Sequence, residues 1–213
     1  MRTDRVAFWT LIVVWAALAL KAIDTVMTAV AMEKLNTYDF ADYGGSWFDL
    51  YDDWIEIYVF LGRPVYFAAF VIWLIWIYRV SKNSYILRQR SLKFRPGWSV
   101  AWWFIPVANL IQPFRIIREL WQANASDEFV DNWKKTVVSS NVHIWWFCMM
   151  VSVLTGFVYD SSVRRGVSIA HVDILAALYI VSGLSAIVMW YLTTRLIREI
   201  EDGQSRLIKA AVT

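Results

Sequence analysis

The sequence has 213 residues, 59% of them hydrophobic and only 18% charged, with a mean hydropathy of +0.44 and a formal net charge of +3. Soluble domains carry about 45–50% apolar and about 25% charged residues, and a chain this short has no interior able to hide such an excess from water. A soluble fold and a disordered chain are therefore excluded, and one cysteine (Cys148), eight glycines and four prolines exclude a disulfide scaffold and a collagen-like repeat.

A helix needs about 20 apolar residues to cross about 30 Å of hydrocarbon. Four runs qualify, at 6–31, 55–78, 137–159 and 172–194, and they define an all-α integral membrane fold over a single domain, 1–213. The first run holds Lys21 and Asp24, three residues apart and so on one helix face. Ala29-Val30-Ala31 has the small-residue pattern of a signal cleavage site, but Lys21 and Asp24 separate it from the apolar stretch, and the run is read as a retained span. Residues 33–54 form an acidic outer loop, with Glu33, Asp39, Asp42, Asp49, Asp52 and Asp53 against Lys34, interleaved with Tyr38, Phe40, Tyr43, Trp47, Phe48, Tyr51 and Trp54. An amphipathic stretch with aromatics at headgroup level is preferred to a cation-attracting vestibule. The acidic spacing matches no calcium loop.

The second run carries Arg63 beside Pro64. At about 1.5 Å per residue, Arg63 lies at a depth similar to that of Lys21, so Asp24 is expected to neutralise Lys21, Arg63 or both. Ionisable groups inside a membrane are costly. A salt bridge that fixes helix register is preferred here to an ion, proton or anionic-substrate site. The inner loop at 79–97 carries six basic residues and no acid, which attracts anionic headgroups of the inner leaflet by about 1 kcal/mol per cation. No nucleic-acid module surrounds it.

Residues 98–114 are apolar but short and broken by Pro106 and Pro113, each of which removes a backbone N–H and clashes with the preceding turn. The segment, with Trp102, Trp103, Asn109 and Gln112, is expected to be re-entrant or interfacial on the cytoplasmic side. Residues 115–135 read as a cytosolic helical hairpin. Phe114, Ile117, Leu120 and Trp121 give an apolar stripe with Arg115 and Glu119 opposite and Arg118 on its flank, a docking surface, and Ser126, Asp127 and Glu128 look like an N-cap and first turn. The third run opens with Ser139, Ser140, Asn141 and His143, which are expected to touch Asn109 and Gln112. His171 and Asp173 lie at the outer mouth of the fourth, and the tail at 195–213 continues as a charged helix that breaks at Gly203. His143 and His171 lie at opposite ends of their spans, so no metal or other cofactor is expected.

Cytoplasmic loops collect Lys and Arg. With four spans and the N-terminus inside, 16 of the 21 basic residues fall on the cytoplasmic side, and only Lys34, Arg164 and Arg165 fall in outer loops. A fifth span at 98–114 would invert that balance for all basic residues beyond it. N-in/C-in with four spans is the expected topology.

The stretch 97–121, GWSVAWWFIPVANLIQPFRIIRELW, resembles the signature of a widespread family of small bacterial membrane proteins known only as a domain of unknown function. Trp102, Trp103, Pro106, Asn109, Leu110, Pro113, Arg115, Arg118, Glu119, Leu120 and Trp121 carry the resemblance. Trp145-Trp146 and the tail element with Gln204 and Arg206 are similar too, so it covers about residues 55–209. It implies a multi-pass protein of a bacterial inner membrane and no known activity.

No nucleophile elbow, P-loop, zincin helix or dinucleotide turn occurs in the chain, so an enzyme is not expected. The leading reading is a non-catalytic component that assembles with itself or with a membrane or cytosolic protein. The alternatives are a small transporter or channel, and an inner-leaflet protein that binds or acts on lipid. Trp98, Trp102, Trp103, Trp121, Trp133, Trp145 and Trp146 point to a tryptophan-rich platform at the inner leaflet.

Overall fold

The computed structural model describes residues 4–37, 46–88, 91–125, 131–165 and 172–210, and among these there is no strand. Helix α1 spans Asp4–Thr37. Helix α2, Ser46–Ile57, passes through one π-helical turn, Tyr58–Gly62, into α3, Arg63–Leu87. Pro64 lacks an N–H for the carbonyl four residues back and its ring crowds that carbonyl; the widened turn just before it absorbs both defects without ending the helix.

Two expected loops are largely helical. Of the acidic loop at 33–54, α1 takes the residues to Thr37 and α2 those from Ser46, while residues 38–45 lie outside the described set. In α2 the spacing of Leu50, Trp54 and Ile57 against Asp49, Asp52, Asp53 and Glu56 makes an amphipathic helix. The inner loop expected at 79–97 is helical as far as Leu87, since no Pro or Gly stops α3 after Pro64, and Val80, Ser81, Asn83 and Ser84 are buried.

The proline-containing segment is broken, as its composition predicts. Helix α4 has six residues, Pro96–Ala101, and only one 3-10 turn, Ala108–Leu110, intervenes before α5, Gln112–Ala125. Pro113 stands in the first turn of α5, where a missing N–H costs nothing. A second 3-10 turn, Asp131–Lys135, precedes α6, Ser140–Arg164, and α7 runs over Val172–Ala210. The expected cap at Ser126, Asp127 and Glu128 lies outside the described residues, as does His171. The expected break at Gly203 does not occur: α7 continues through it, and a Cβ there would stand 2.0 Å from the carbonyl oxygen of Asn124. This glycine permits close packing instead of ending a helix.

Among the described residues four helices are long and apolar enough to cross a membrane: Arg5–Lys34, Asp49–Leu87, Ser140–Arg164 and Asp173–Ala210. The chain divides into two units. One comprises Met1–Val14, Ala68–Trp146 and Leu192–Thr213; the other, Trp15–Phe67 and Phe147–Tyr191.

In the second of these units the helices meet through small residues. Gly183 lies so close to Thr25 that a Cβ would be 2.4 Å from its hydroxyl, while Phe60, Phe67 and Phe157 point outward. Small residues inside and large apolar ones outside are the pattern of packing in lipid. The first unit has a conventional core of large side chains, including Trp76, Ile77, Ile116, Ile117, Leu120, Trp145, Leu196, Ile197 and Ile200. Trp73 stacks on Trp76 at 4.9 Å between centroids and lies 6.1 Å from Trp145, whose indole N–H donates to Thr193.

Candidate functional site

Helix α5 belongs to the first unit. Ile116, Ile117, Leu120, Ala123 and Asn124 are buried along one side. Arg115, Arg118, Glu119 and Gln122 recur at three- and four-residue spacing and form another stripe. That stripe is one wall of a cleft of about 570 Å³, completed by Ser91, Lys93 and Phe94 from the strap after α3 and by Trp133 and Lys134 from the second 3-10 turn.

Each wall is anchored. The backbone N–H groups of Lys93 and Phe94 donate to the two oxygens of Glu119, at 2.6 and 3.2 Å. Gln122 donates through its amide to the carbonyls of Lys134 and Thr136, holding the 3-10 turn against α5. The buried indole of Trp133 donates to Ser91 at 3.3 Å. The guanidinium of Arg88, 2% exposed, donates through Nε and Nη2 to the carbonyl of Ala123 at 2.8 and 2.6 Å. That places a cation on the last turn of α5, where the helix dipole favours it.

Behind the cleft a buried amide network ties α3, α5 and α7 together. Asn83 donates to Gln204 at 3.0 Å, Asn124 donates to Ser84 at 2.9 Å and to the carbonyl of Leu120 at 2.7 Å, and Gln204 donates to Ser84 at 3.2 Å. Two carboxylates of α7 accept from indoles: Glu201 from Trp76 and Glu199 from Trp121, both at 2.7 Å, while Asn141 of α6 also donates to Glu199 at 2.8 Å. Buried polar groups satisfied in this way rigidify a fold.

Four cations, Lys93, Arg115, Arg118 and Lys134, face one carboxylate in the cleft. Arg115 and Arg118 are exposed and enter no ion pair among the described residues. Burial holds the Glu119 carboxyl above its ordinary range, outweighing the backbone N–H groups of Lys93 and Phe94 and the charges of Lys134 and Lys93, which pull it down. The cleft can receive an anion whose oxygens accept from the cations, with Glu119 placed to accept from a neighbouring hydroxyl or ammonium.

The sequence places Arg115, Arg118, Glu119 and Trp121 on one helix read as a docking surface; the apolar stripe of that helix is used inside the unit. Ile117 and Leu120 are buried and the Trp121 indole is bound to Glu199, because the chain folds α7 onto that side. Asn141 and His143 do not meet Asn109 or Gln112 through hydrogen bonds. His143 Nδ1 lies 3.3 Å from the carbonyl of Ser139, and the contact between the two segments is made by Phe114, whose ring lies 5.5 Å from that of His143 and 5.9 Å from Trp146. Gln112 Oε1 and Trp103 Nε1 are buried without a hydrogen-bond partner. The Trp102 ring lies 5.3 Å from that of Trp98, tilted by 38°, and Pro106 is exposed.

In the other unit, Asp24 pairs with Lys21 at 2.9 Å, and the Tyr179 hydroxyl of α7 donates to the same carboxylate oxygen. Arg63, expected as an alternative partner, is exposed and enters no ion pair among the described residues. The pair lies within one helix, three residues apart, so the link between helices is made by Tyr179, which the sequence reading did not single out. Among the described residues no group of three His, Cys, Asp or Glu side chains could hold a metal ion.

An all-α membrane protein with a cationic cleft beside a Trp- and Pro-broken segment is the class that this fold and site define. The family model for a domain of unknown function, DUF4328, matches residues 51–202, well over half of the chain, and the chain belongs to that family. No curated protein and no solved structure matches it. The match includes α5, the broken segment and every residue that lines the cleft, and leaves out α1 with Lys21 and Asp24.

Proposed function

We propose that this chain is a multi-pass protein of a bacterial inner membrane, threaded N-in/C-in, that binds phosphate-bearing anionic headgroups of the inner leaflet in the α5 cleft. The observation that carries the reading is the convergence of Lys93, Arg115, Arg118 and Lys134 on one cleft of about 570 Å³ beside a half-buried Glu119. That volume lies within the usual range for small-ligand sites, about 300–1,000 Å³. A headgroup phosphate would meet the guanidinium groups, and its hydroxyl or ammonium would meet Glu119. The segment at 98–114 suits an interfacial or re-entrant position, since Phe104, Val107, Leu110 and Ile111 are exposed apolar side chains on a broken backbone. Assembly through α5 is less well supported, because its apolar stripe is buried within the chain.

The test is phosphatidylglycerol binding by the full chain in phosphatidylcholine nanodiscs, read by native mass spectrometry. Each basic residue at a membrane surface contributes about 1 kcal/mol, or about fivefold in affinity, so Arg115→Gln with Arg118→Gln should weaken binding about 25-fold. Unchanged affinity in a folded double variant would refute the reading.

A further inference from the structure

A second cleft, of about 540 Å³, lies where α3 leaves its apolar run and includes Tyr78, Lys82 and Tyr85 of α3, with Arg95 and Gly97 at the start of α4. We propose that it is a separate binding site for a lipid phosphate. It goes beyond the α5 cleft and does not require that cleft to be occupied.

The placement follows from the sequence. Tyr78 is the last residue of the apolar run, and Lys82 and Tyr85 follow at four and seven residues, on the same face of an unbroken helix. At about 1.5 Å per residue Lys82 stands about 6 Å beyond Tyr78. The headgroup layer of one leaflet is about 5–7 Å deep, the difference between a bilayer of about 40–45 Å and its core of about 30 Å shared between two faces. Lys82 is thus at phosphate height when Tyr78 marks the edge of the hydrocarbon. Ile86 and Trp98 nearby in sequence are 51% and 52% exposed, apolar surface for the glycerol and upper acyl chain.

Arg95 is brought to this height by the turn that starts α4. Its backbone is extended, at φ −70° and ψ 151°, and its carbonyl accepts from the Ser99 N–H at 3.0 Å. Pro96 follows at the first helical position, and the Ser99 hydroxyl donates back to its carbonyl at 2.6 Å, so the turn is fixed on both sides of Arg95. At Gly97 a Cβ would meet nothing within 4 Å, which leaves the cleft open there.

The chemistry differs from that of the α5 cleft. Two cations and two phenols line the site and no carboxylate does, and among the described residues neither Lys82 nor Arg95 forms an ion pair. With donors and no charged acceptor, the site matches a phosphomonoester headgroup, whose oxygens all accept, better than a headgroup that carries an ammonium. Phosphatidic acid is the lipid of that description. Inorganic phosphate shares its chemistry but has no acyl chains to lie against Ile86 and Trp98.

The experiment is a titration of the full chain in phosphatidylcholine nanodiscs with phosphatidic acid, with the number and affinity of bound lipids read by native mass spectrometry. Wild type should hold two. Lys82→Gln with Arg95→Gln should lose one of them, an affinity drop of about 25-fold at that site, while Lys82→Arg with Arg95→Lys retains it and shows that the fold tolerates change there. Arg115→Gln with Arg118→Gln should lose only the other, so failure of this site and failure of the α5 site are read separately. Wild-type stoichiometry and affinity in the Lys82/Arg95 glutamine variant would overturn the proposal. Displacement of that lipid by inorganic phosphate at equal concentration would overturn the lipid assignment.

Discussion

A β-branched residue at positive φ is uncommon and costly, because its Cβ crowds the backbone. Val107 adopts φ 64° and ψ −50°, and the Ala108 N–H donates to the carbonyl of Pro106 at 2.7 Å across it, which closes a three-residue γ-turn of the strained hand. The Asn109 N–H donates to Ile105 at 2.9 Å, so the loop around Val107 is held from both ends. Such strain costs about 1–3 kcal/mol, while glycine gives back about 0.5–1 kcal/mol through its freer unfolded chain. Val107→Gly should therefore stabilise by about 1 kcal/mol and raise the melting midpoint in detergent by about 2–4 °C. A lower midpoint would mean that the 77% exposed Val107 side chain contributes more than its backbone costs. At this scale the sequence was a partial guide to the cleft. Arg115, Arg118 and Glu119 are legible in the spacing of α5, whereas Lys93, Phe94, Trp133 and Lys134 come from segments distant in sequence and carry no local mark.

Helix α7 shows how a local signal misleads when its partner is elsewhere. Glycine disfavours a helix interior by about 1 kcal/mol relative to alanine, and a charged tail with Gly203 reads as a helix about to stop. Yet Leu196, Ile197, Ile200, Gly203, Gln204 and Leu207 form one buried stripe at three- and four-residue spacing. Gln204 on that stripe is the signal that a polar partner waits across the interface, and Asn83, Ser84 and Asn124 supply it. Gly203→Ala sets the gain in helix propensity against a Cβ placed 2.0 Å from the Asn124 carbonyl. Backbone cannot yield as a side chain can, and overpacking costs about 1–3 kcal/mol or more. The clash wins, so the variant should melt at least about 2–4 °C lower by differential scanning fluorimetry. An equal or higher midpoint would show that α5 and α7 do not approach as closely as this.

For the molecule as a whole, the proposed N-in/C-in threading rests on the distribution of Lys and Arg and would put α5 and both clefts on the cytoplasmic side. In a chain whose Cys148 is replaced by Ser, Val163→Cys should react with a membrane-impermeant maleimide on intact spheroplasts, and Ser205→Cys only after permeabilisation. The reverse pattern would turn the protein over and remove both headgroup sites from the inner leaflet. What the sequence by itself determined was the solvent, the four helices able to span it, and the break at the prolines. Transfer of a run into lipid and the loss of a backbone N–H are sums over neighbouring residues, legible wherever the run is read. Only the tertiary structure decided that the stripe of α5 is spent inside the chain, that Gly203 is a contact, that Tyr179 and not Arg63 attends Asp24, and which cations share a cleft. Each of these depends on a partner far along the chain, and its energy exists only once helices from separate parts of the sequence have met.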